Sequence, residues 1–193
     1  MWWRLEIVRN WLFRRLSVPI LRAVGPLLFD RQYLRGRHFT QSDDGWRWVQ
    51  RSILTQRILS YNRHIPWPVS PFVSISNHAN IDFDPDDLNN FQVAGTYFQN
   101  FAARISIGKG TYIAPNVGII TVDHDLSDPS THQKGMDVII GRQCWIGMNA
   151  VILPGVVLGE NTVVGAGAVV TKSFPEGHLV LVGVPARPLK RIS

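Results

Sequence analysis

Aliphatic residues recur every six positions through the second half of the chain. Ile107, Ile113 and Ile119 stand six apart, and after an interruption the count resumes at Ile140, Ile146, Ile152, Leu158, Val164 and Val170 without a miss. The residue after each is usually small, as at Gly108, Ala114, Gly141, Gly147, Gly159 and Gly165. A small or β-branched residue often follows four places after the aliphatic one, as at Thr111, Val117, Ala150, Thr162 and Ala168. Six matches neither the helix period of about 3.6 nor plain strand alternation. It is a solenoid period: each unit makes one flat side of a three-sided coil, and three units complete a turn. The aliphatic side chain points inward and stacks on its equivalent one turn away, at about the 4.8 Å spacing of hydrogen-bonded strands. The small residue turns the corner where a larger side chain would crowd the backbone. The pattern predicts a mainly β protein, a parallel β-helix, preceded by a helical segment.

The first third is patterned differently. Leu5, Val8, Leu12 and Leu16 keep helical spacing, with Arg4 and Arg15 beside the stripe and Trp2, Trp3 and Trp11 adding large amphipathic rings. Residues 1–30 read as helix, broken near Pro19 and Pro26. Residues 31–45 read as loop, with Gly36 and an Asp43-Asp44-Gly45 turn. Residues 46–62 read as a second helix, with Trp46, Val49 and Ile53 on one side. The Pro66-Trp67-Pro68 and Pro71 cluster ends helical structure. The expected organisation is therefore a basic helical region over 1–68 and a β-helix domain with a C-terminal tail over 69–193. The first coils, about 72–106, are irregular. Asp82, Asp84, Asp86 and Asp87 form an acidic corner there, which lacks the pattern of an EF-hand loop and reads as solvated turns.

Charge sharpens this division. Residues 1–64 hold 12 Arg and 4 acids, a net of +8, whereas residues 65–193 hold 8 Lys+Arg and 10 acids, a net of −2. A basic head on a near-neutral body implies an anionic partner. The Trp-bearing head fits peripheral contact with an anionic membrane through residues 1–64, or packing on the solenoid or a neighbouring subunit. No nucleic-acid motif accompanies the basic residues, so no nucleic-acid partner is expected. Arginines interrupt every apolar run near the start, so neither a spanning helix nor a signal peptide is expected. A cytoplasmic protein, peripheral on the inner membrane face at most, is the expectation. The lone cysteine, Cys144, falls inside the repeat. It provides no disulfide framework or Cys-based zinc site and reads as a buried corner residue.

The run Ile146-Gly-Met-Asn-Ala-Val-Ile-Leu-Pro-Gly-Val-Val-Leu-Gly-Glu-Asn-Thr-Val-Val-Gly-Ala-Gly-Ala-Val-Val-Thr-Lys172 closely resembles the hexapeptide-repeat acyltransferases, and the tail Val182-Gly-Val-Pro-Ala-Arg187 is similar to the stretch that closes such domains. The resemblance covers about residues 72–191. It implies a left-handed β-helix that moves acyl groups from coenzyme A, and a homotrimer with active sites between subunits. The left hand comes from the resemblance alone, since parallel crossovers are normally right-handed. Acetyl-CoA is the implied co-substrate, with no metal. The overall look most resembles the branch that O-acetylates sugars and surface polysaccharide, which makes a sugar or glycan hydroxyl the expected acceptor. An N-acyltransferase on an amino or nucleotide sugar is the alternative within the family. A non-catalytic trimeric scaffold with a membrane-binding head is the alternative outside it. A γ-type carbonic anhydrase would need three His ligands; His78, His124 and His132 lack its spacing.

The interruption between Ile119 and Ile140 spans 21 residues where a regular coil would use six, so about 15 are extra. Segments ejected from a rigid scaffold commonly carry function. In the resembled family a His sits where His124 does and acts as general base on the acceptor hydroxyl. The chemistry suits it, since a neutral imidazole can take the proton of a hydroxyl as it attacks a thioester. Asp123 or Asp125 is placed to orient the ring, and His132 either lines the acceptor site or is simply exposed. Asn100, in Tyr97-Phe-Gln-Asn-Phe101, matches a family Asn that contacts the acceptor, or else caps a coil corner. Trp145 matches a Trp beside the pantetheine arm, and Met148 falls near the thioester. Ala166, Thr171 and Lys172 match the cofactor groove, and Arg187 matches a basic residue near the nucleotide phosphates.

Overall fold

The structure is a computed structural model that describes residues 2–192, the side chains of residues 2–5 and 7 excepted. The chain divides into two compact units, residues 1–71 and 72–193.

The first unit opens with one long helical run: α1 (Trp2–Leu12), a π-helical turn over Phe13–Ser17, and α2 (Val18–Leu28). The break expected near Pro19 does not occur. Pro19 follows directly on the π-turn, whose wider backbone makes room for the ring within a continuous run. Pro26 sits inside the last turn, and the helix ends at Phe29, which is extended. Residues 31–45 are less loop-like than expected: a 3₁₀ turn spans Arg31–Tyr33, α3 spans Arg37–Thr40 and α4 begins at Asp44. The second helix is shorter than 46–62. α4 (Asp44–Ser52) passes into a π-helical stretch, Ile53–Ile58, and ends before Ser60, whose φ is +66°. The core gathers Phe13, Val18, Leu21, Phe29, Phe39, Trp46 and Val49. α2 meets α4 at Gly25, where a Cβ would stand in ordinary contact, 3.5 Å from the Trp46 ring and 3.6 Å from Val49. Buried Gln56 then ties down the proline-rich exit. Its Nε2 donates to the carbonyls of Asn62, Ile65 and Trp67, and its Oε1 accepts from Val69 N at 2.8 Å.

Leu5 has its side chain outside the described residues, but the rest of the predicted stripe is visible. Val8, Leu12 and Leu16 are exposed rather than packed, and the buried face of the helix carries Phe13, Val18 and Leu21 instead.

The second unit is a coil of short strands: β1 (Ser74–Ile75), β2 (Ile81–Asp82), β3 (Tyr97–Gln99), β4 (Ile105–Ile107), β5 (Tyr112–Ile113), β6 (Gly118–Ile120), β7 (Val138–Ile140), β8 (Trp145–Ile146), β9 (Val151–Ile152), β10 (Val157–Leu158), β11 (Val163–Val164), β12 (Val169–Val170), β13 (Leu179–Val182) and β14 (Arg187–Arg191). From β4 to β12, successive strands fall in three different sheets in rotation, which is what a three-sided coil requires. The sheets are ordered β1-β3-β6-β9-β12, β10-β7-β4-β2 and β14-β13-β11-β8-β5. Every pairing is parallel except the last, where β14 turns back antiparallel on β13 and closes the tail. The nine residues of the six-residue count are all buried, as are Thr111, Val117, Ala150, Thr162 and Ala168. The corner glycines stack backbone on backbone: a Cβ at Gly141 would lie 2.6 Å from the Glu160 N.

In the first turn a 3₁₀ segment, Pro85–Phe91, stands where a strand would. Buried Asn90 substitutes for the missing ladder, donating from Nδ2 to the Thr111 carbonyl and accepting from Ile113 N. The acidic corner is not simply solvated. Asp87 is buried and accepts from Gly110 N at 2.7 Å, Asp84 and Asp86 pair with Lys109, and Asp82 pairs with Arg104. These carboxylates fasten one coil to the next.

Candidate active site

The corner between the first and second sheets is where the coil is interrupted. β6 leads into Thr121 and Val122, both buried, and the chain then leaves the coil until β7. A buried side chain anchors the point of departure. Gln99 Oε1 accepts from Thr121 N at 3.1 Å and Val122 N at 3.2 Å, while its Nε2 donates to the Val122 carbonyl at 3.0 Å. Thr121 Oγ1 donates to the Gln99 carbonyl at 2.8 Å. The two arms of the loop are laced by backbone bonds, Gln133 N to Asp123 O at 2.9 Å and Met136 N to Thr121 O at 2.8 Å. His124 and His132 pair as an isolated antiparallel bridge. The loop also folds back on the preceding coil, where a Cβ at Gly135 would stand 2.8 Å from the Ala102 Cβ.

His124 is exposed on this frame, and its ring is held by one hydrogen bond, Nδ1 to the Pro129 carbonyl oxygen at 2.8 Å. A carbonyl oxygen only accepts, so Nδ1 carries the proton and the lone pair of the neutral ring lies on Nε2. The His132 ring stacks on it with centroids 4.4 Å apart and 32° between planes, and Phe101 meets His132 edge-on at 5.2 Å. Neither expected carboxylate holds the imidazole. Asp125 accepts from the backbone N and hydroxyl of Ser127, and these bonds hold its carboxyl below the usual range. Asp128 is likewise lowered, by the Ser130 hydroxyl and N–H. Together they shape the turn that presents the Pro129 carbonyl. Asp123 is exposed beside His124, and its backbone carbonyl takes the Gln133 bond.

Asn100 lies beneath the surface of the coil. It is fully buried, its Oδ1 accepting from Asn77 N at 3.0 Å and its Nδ2 donating to Asn77 O at 2.7 Å. It caps a coil corner, the role that the spacing alone leaves open.

The remaining candidates are exposed residues: Met148, Ala166, Thr171 and Lys172 border the first sheet, whereas Trp145 and Arg187 lie on strands of the third. Met148 and Ala166 stand on the corner where the third sheet passes into the first, joined by the bond from Gly167 N to Met148 O at 2.8 Å. Thr171 and Lys172 stand at the opposite edge, on the corner that also ejects the His124 loop, and Lys172 Nζ lies 5.4 Å from the Phe174 ring centroid. Trp145 is 58% exposed on the outer side of the third sheet, in register with Tyr112 and Val163. Arg187 opens β14 with its Nη1 on the Ala186 carbonyl at 3.1 Å. Cys144 is buried beneath, and burial pushes its thiol upward. No group of three or more metal-ligating side chains is gathered among the described residues.

Gln99, Pro129 and Phe101 are contributors that sequence reasoning passes over. Gln99 follows the inward Phe98 at the corner of the coil, a position with no sequence signal of a buried anchor. Nothing local marks Pro129 or Phe101, whose partners lie across the loop.

A coil of hexapeptides with an imidazole on its one long excursion defines a class, and comparison agrees. A family model described as bacterial transferase hexapeptide (six repeats) matches residues 137–172. A provisionally assigned acetyltransferase of Schizosaccharomyces pombe is 38% identical over 146 residues, covering 74% of this chain and 68% of that protein. The galactoside O-acetyltransferase of Escherichia coli is 34% identical over 114 residues, covering 54% of this chain and 56% of that enzyme. A solved galactoside acetyltransferase in complex with coenzyme A superposes with TM-score 0.55 at 30% identity, covering 66% of this chain and 62% of that one. The chain belongs to the hexapeptide-repeat acetyltransferase family. Its three-sheet coil is accordingly the left-handed parallel β-helix of that family, and the matches reach somewhat over half to two thirds of the relatives' lengths.

Proposed function

We propose that this protein is an acetyl-CoA-dependent O-acetyltransferase that acts on a hydroxyl of a sugar or surface-polysaccharide precursor through a direct ternary complex. One observation carries the reading: the Nδ1 bond of His124 to the Pro129 carbonyl, which leaves Nε2 as the basic nitrogen on an exposed loop. Nε2 takes the hydroxyl proton as the oxygen attacks the thioester carbonyl. The C–O bond forms, the C–S bond breaks, and the imidazolium returns its proton to the departing thiolate. Asp123 and His132 border the acceptor. Asn100 acts at one remove, by fixing Asn77.

Coenzyme A is assigned to the outer face of the first sheet and its edges. Met148 and Ala166 line the arm, Thr171 and Lys172 face it from the other corner, Trp145 flanks it, and Arg187 meets its phosphates. Support comes from the exposure of these side chains and from the coenzyme A held by the galactoside acetyltransferase of similar fold. The sugar acceptor rests on the galactosides named for the relatives. A homotrimer would bring the loop of one subunit to the cofactor face of the next.

The test is release of free thiol from acetyl-CoA against a panel of sugars, nucleotide sugars and lipid-linked glycans. Acceptor-dependent release that His124→Ala abolishes is the expected result. Undiminished turnover by that variant would defeat the mechanism.

A further inference from the structure

The long helix of the first unit has two apolar faces, and among the described residues one is buried and the other exposed. Phe13, Val18, Leu21 and Gly25 are buried. On another side Val8, Leu12, Leu16, Ile20 and Leu27 form an exposed row, with Leu16 and Ile20 each 63% and Leu27 80% accessible. The first four are spaced four apart. In a regular α-helix a four-residue step overshoots a full turn by about 40°, so such a row drifts steadily round the axis. The π-helical turn over Phe13–Ser17 is wider and absorbs much of that overshoot between Leu12 and Leu16. The distortion thus keeps the row in line with Leu27, on one side of a helical run about 40 Å long.

Charge selects the occupant of this row. Residues 1–30 carry five Arg against Glu6 and Asp30. By helical position Arg9 lies on one flank of the row, and Arg15 lies on the other with Trp11, whose ring centroid is 5.7 Å from the guanidinium carbon. A second copy would bring a second basic head of net +8 against the first, so self-association through this face is opposed by like charge. A nucleic acid would leave the aliphatic row in water. A surface that is apolar within and anionic at its rim satisfies both halves.

We propose that the row Val8, Leu12, Leu16, Ile20 and Leu27, flanked by Arg9, Arg15 and Trp11, docks the protein in the plane of an anionic lipid surface. The helix lies along the interface and does not cross it, consistent with the absence among the described residues of any helix long and apolar enough to span. The inference is independent of the acetyl-transfer reading, since it uses none of the residues assigned to that chemistry.

Flotation of the full chain with vesicles tests it. Binding is expected to vesicles of phosphatidylcholine with phosphatidylglycerol, to weaken by about tenfold on phosphatidylcholine alone, and to fall with added salt. Leu16→Gln with Ile20→Gln weakens it by about tenfold or more while thiol release in solution is unchanged. Leu12→Gln with Leu27→Gln does the same, should the first pair impair folding. Equal flotation by wild type and both variant pairs would overturn the proposal. So would failure of the wild type to float at low salt, self-association lost in the variants without vesicle binding, or displacement from vesicles by an oligonucleotide at low excess.

Discussion

Gln99 holds both backbone N–H groups of Thr121 and Val122 on one oxygen and returns its amide N–H to the Val122 carbonyl. The anchored residues stop two positions short of His124. Replacing Gln99 by Glu keeps an acceptor for the two N–H groups and sets a carboxylate oxygen against the Val122 carbonyl. The stem should shift, and a misplacement of about 1 Å can cost on the order of a hundredfold in rate. The expectation is a lower kcat with KM for acetyl-CoA unchanged, measured by initial rates. A matched fall in thermal stability with kcat intact would reduce Gln99 to a packing residue.

His124→Ala should lower kcat by on the order of 10²- to 10⁴-fold. Initial rates with saturating acceptor measure this. Retention of full turnover by the variant would move the base elsewhere, His132 being the ring stacked on it.

The coil was legible because its determinants are local and periodic. Ile107 through Val170 fall on the inner side of consecutive faces, so one side-chain type every six residues records the whole architecture. The gap from Ile119 to Ile140 exposes the loop for the same reason. What stayed hidden depends on partners distant in sequence. Asn100 reads as a sugar contact or a corner cap, and the bonds its amide makes to Asn77, 23 residues away, are invisible from the sequence. Asp125 looks like a support for the His124 ring until Ser127 claims its carboxylate. In the first unit, Pro19 predicts a break by steric rule, and a π-turn resolves the clash without one. The stripe at Val8, Leu12 and Leu16 reads as either a lipid-facing or a packing face because spacing reports amphipathicity and not which partner covers it.

Removing the stacked core should be costly. Ile152 is fully buried between Ile119 and Val170 along one ladder. Ile152→Ala should lose about 2–5 kcal/mol by transfer and cavity effects together. Gly141→Ala should also destabilise, since its Cβ would need the Glu160 backbone to move from 2.6 Å. Denaturant midpoints at constant slope measure both. A neutral Gly141→Ala would mean that the coils separate more easily than their stacking implies.

The loop turn should be sensitive to acid. Hydrogen bonds from Ser127 and Ser130 lower the Asp125 and Asp128 carboxyls in the folded state. A lowered folded value contributes stability that is fully present above the ordinary carboxylate range and is lost as pH falls through the folded value. Local opening of 123–132 should therefore rise under strongly acidic conditions before the coil melts. Amide exchange of Ser127 and Ser130 reads this directly. Asp125→Asn should bring the opening to neutral pH. Exchange at these amides that tracks the coil at every pH would show the turn is not a separate unit.

Arg187 and Lys172 allow the cofactor face to be tested without touching the base. Both are exposed cations, so their loss should leave the fold intact. A charge-assisted bond to phosphate contributes about 1.5–3 kcal/mol, so Arg187→Gln should raise KM for acetyl-CoA by on the order of tenfold with little change in kcat. The partner can be identified by removing it from the other side. If Arg187 meets the 3′-phosphate, dephospho-acetyl-CoA should serve the wild type and Arg187→Gln equally poorly, and the two losses should not add. Lys172, near the corner that ejects the loop, should instead retain its full effect with the dephosphorylated donor. Strict additivity for Arg187 would place the phosphate on another cation and leave this guanidinium to the tail it borders.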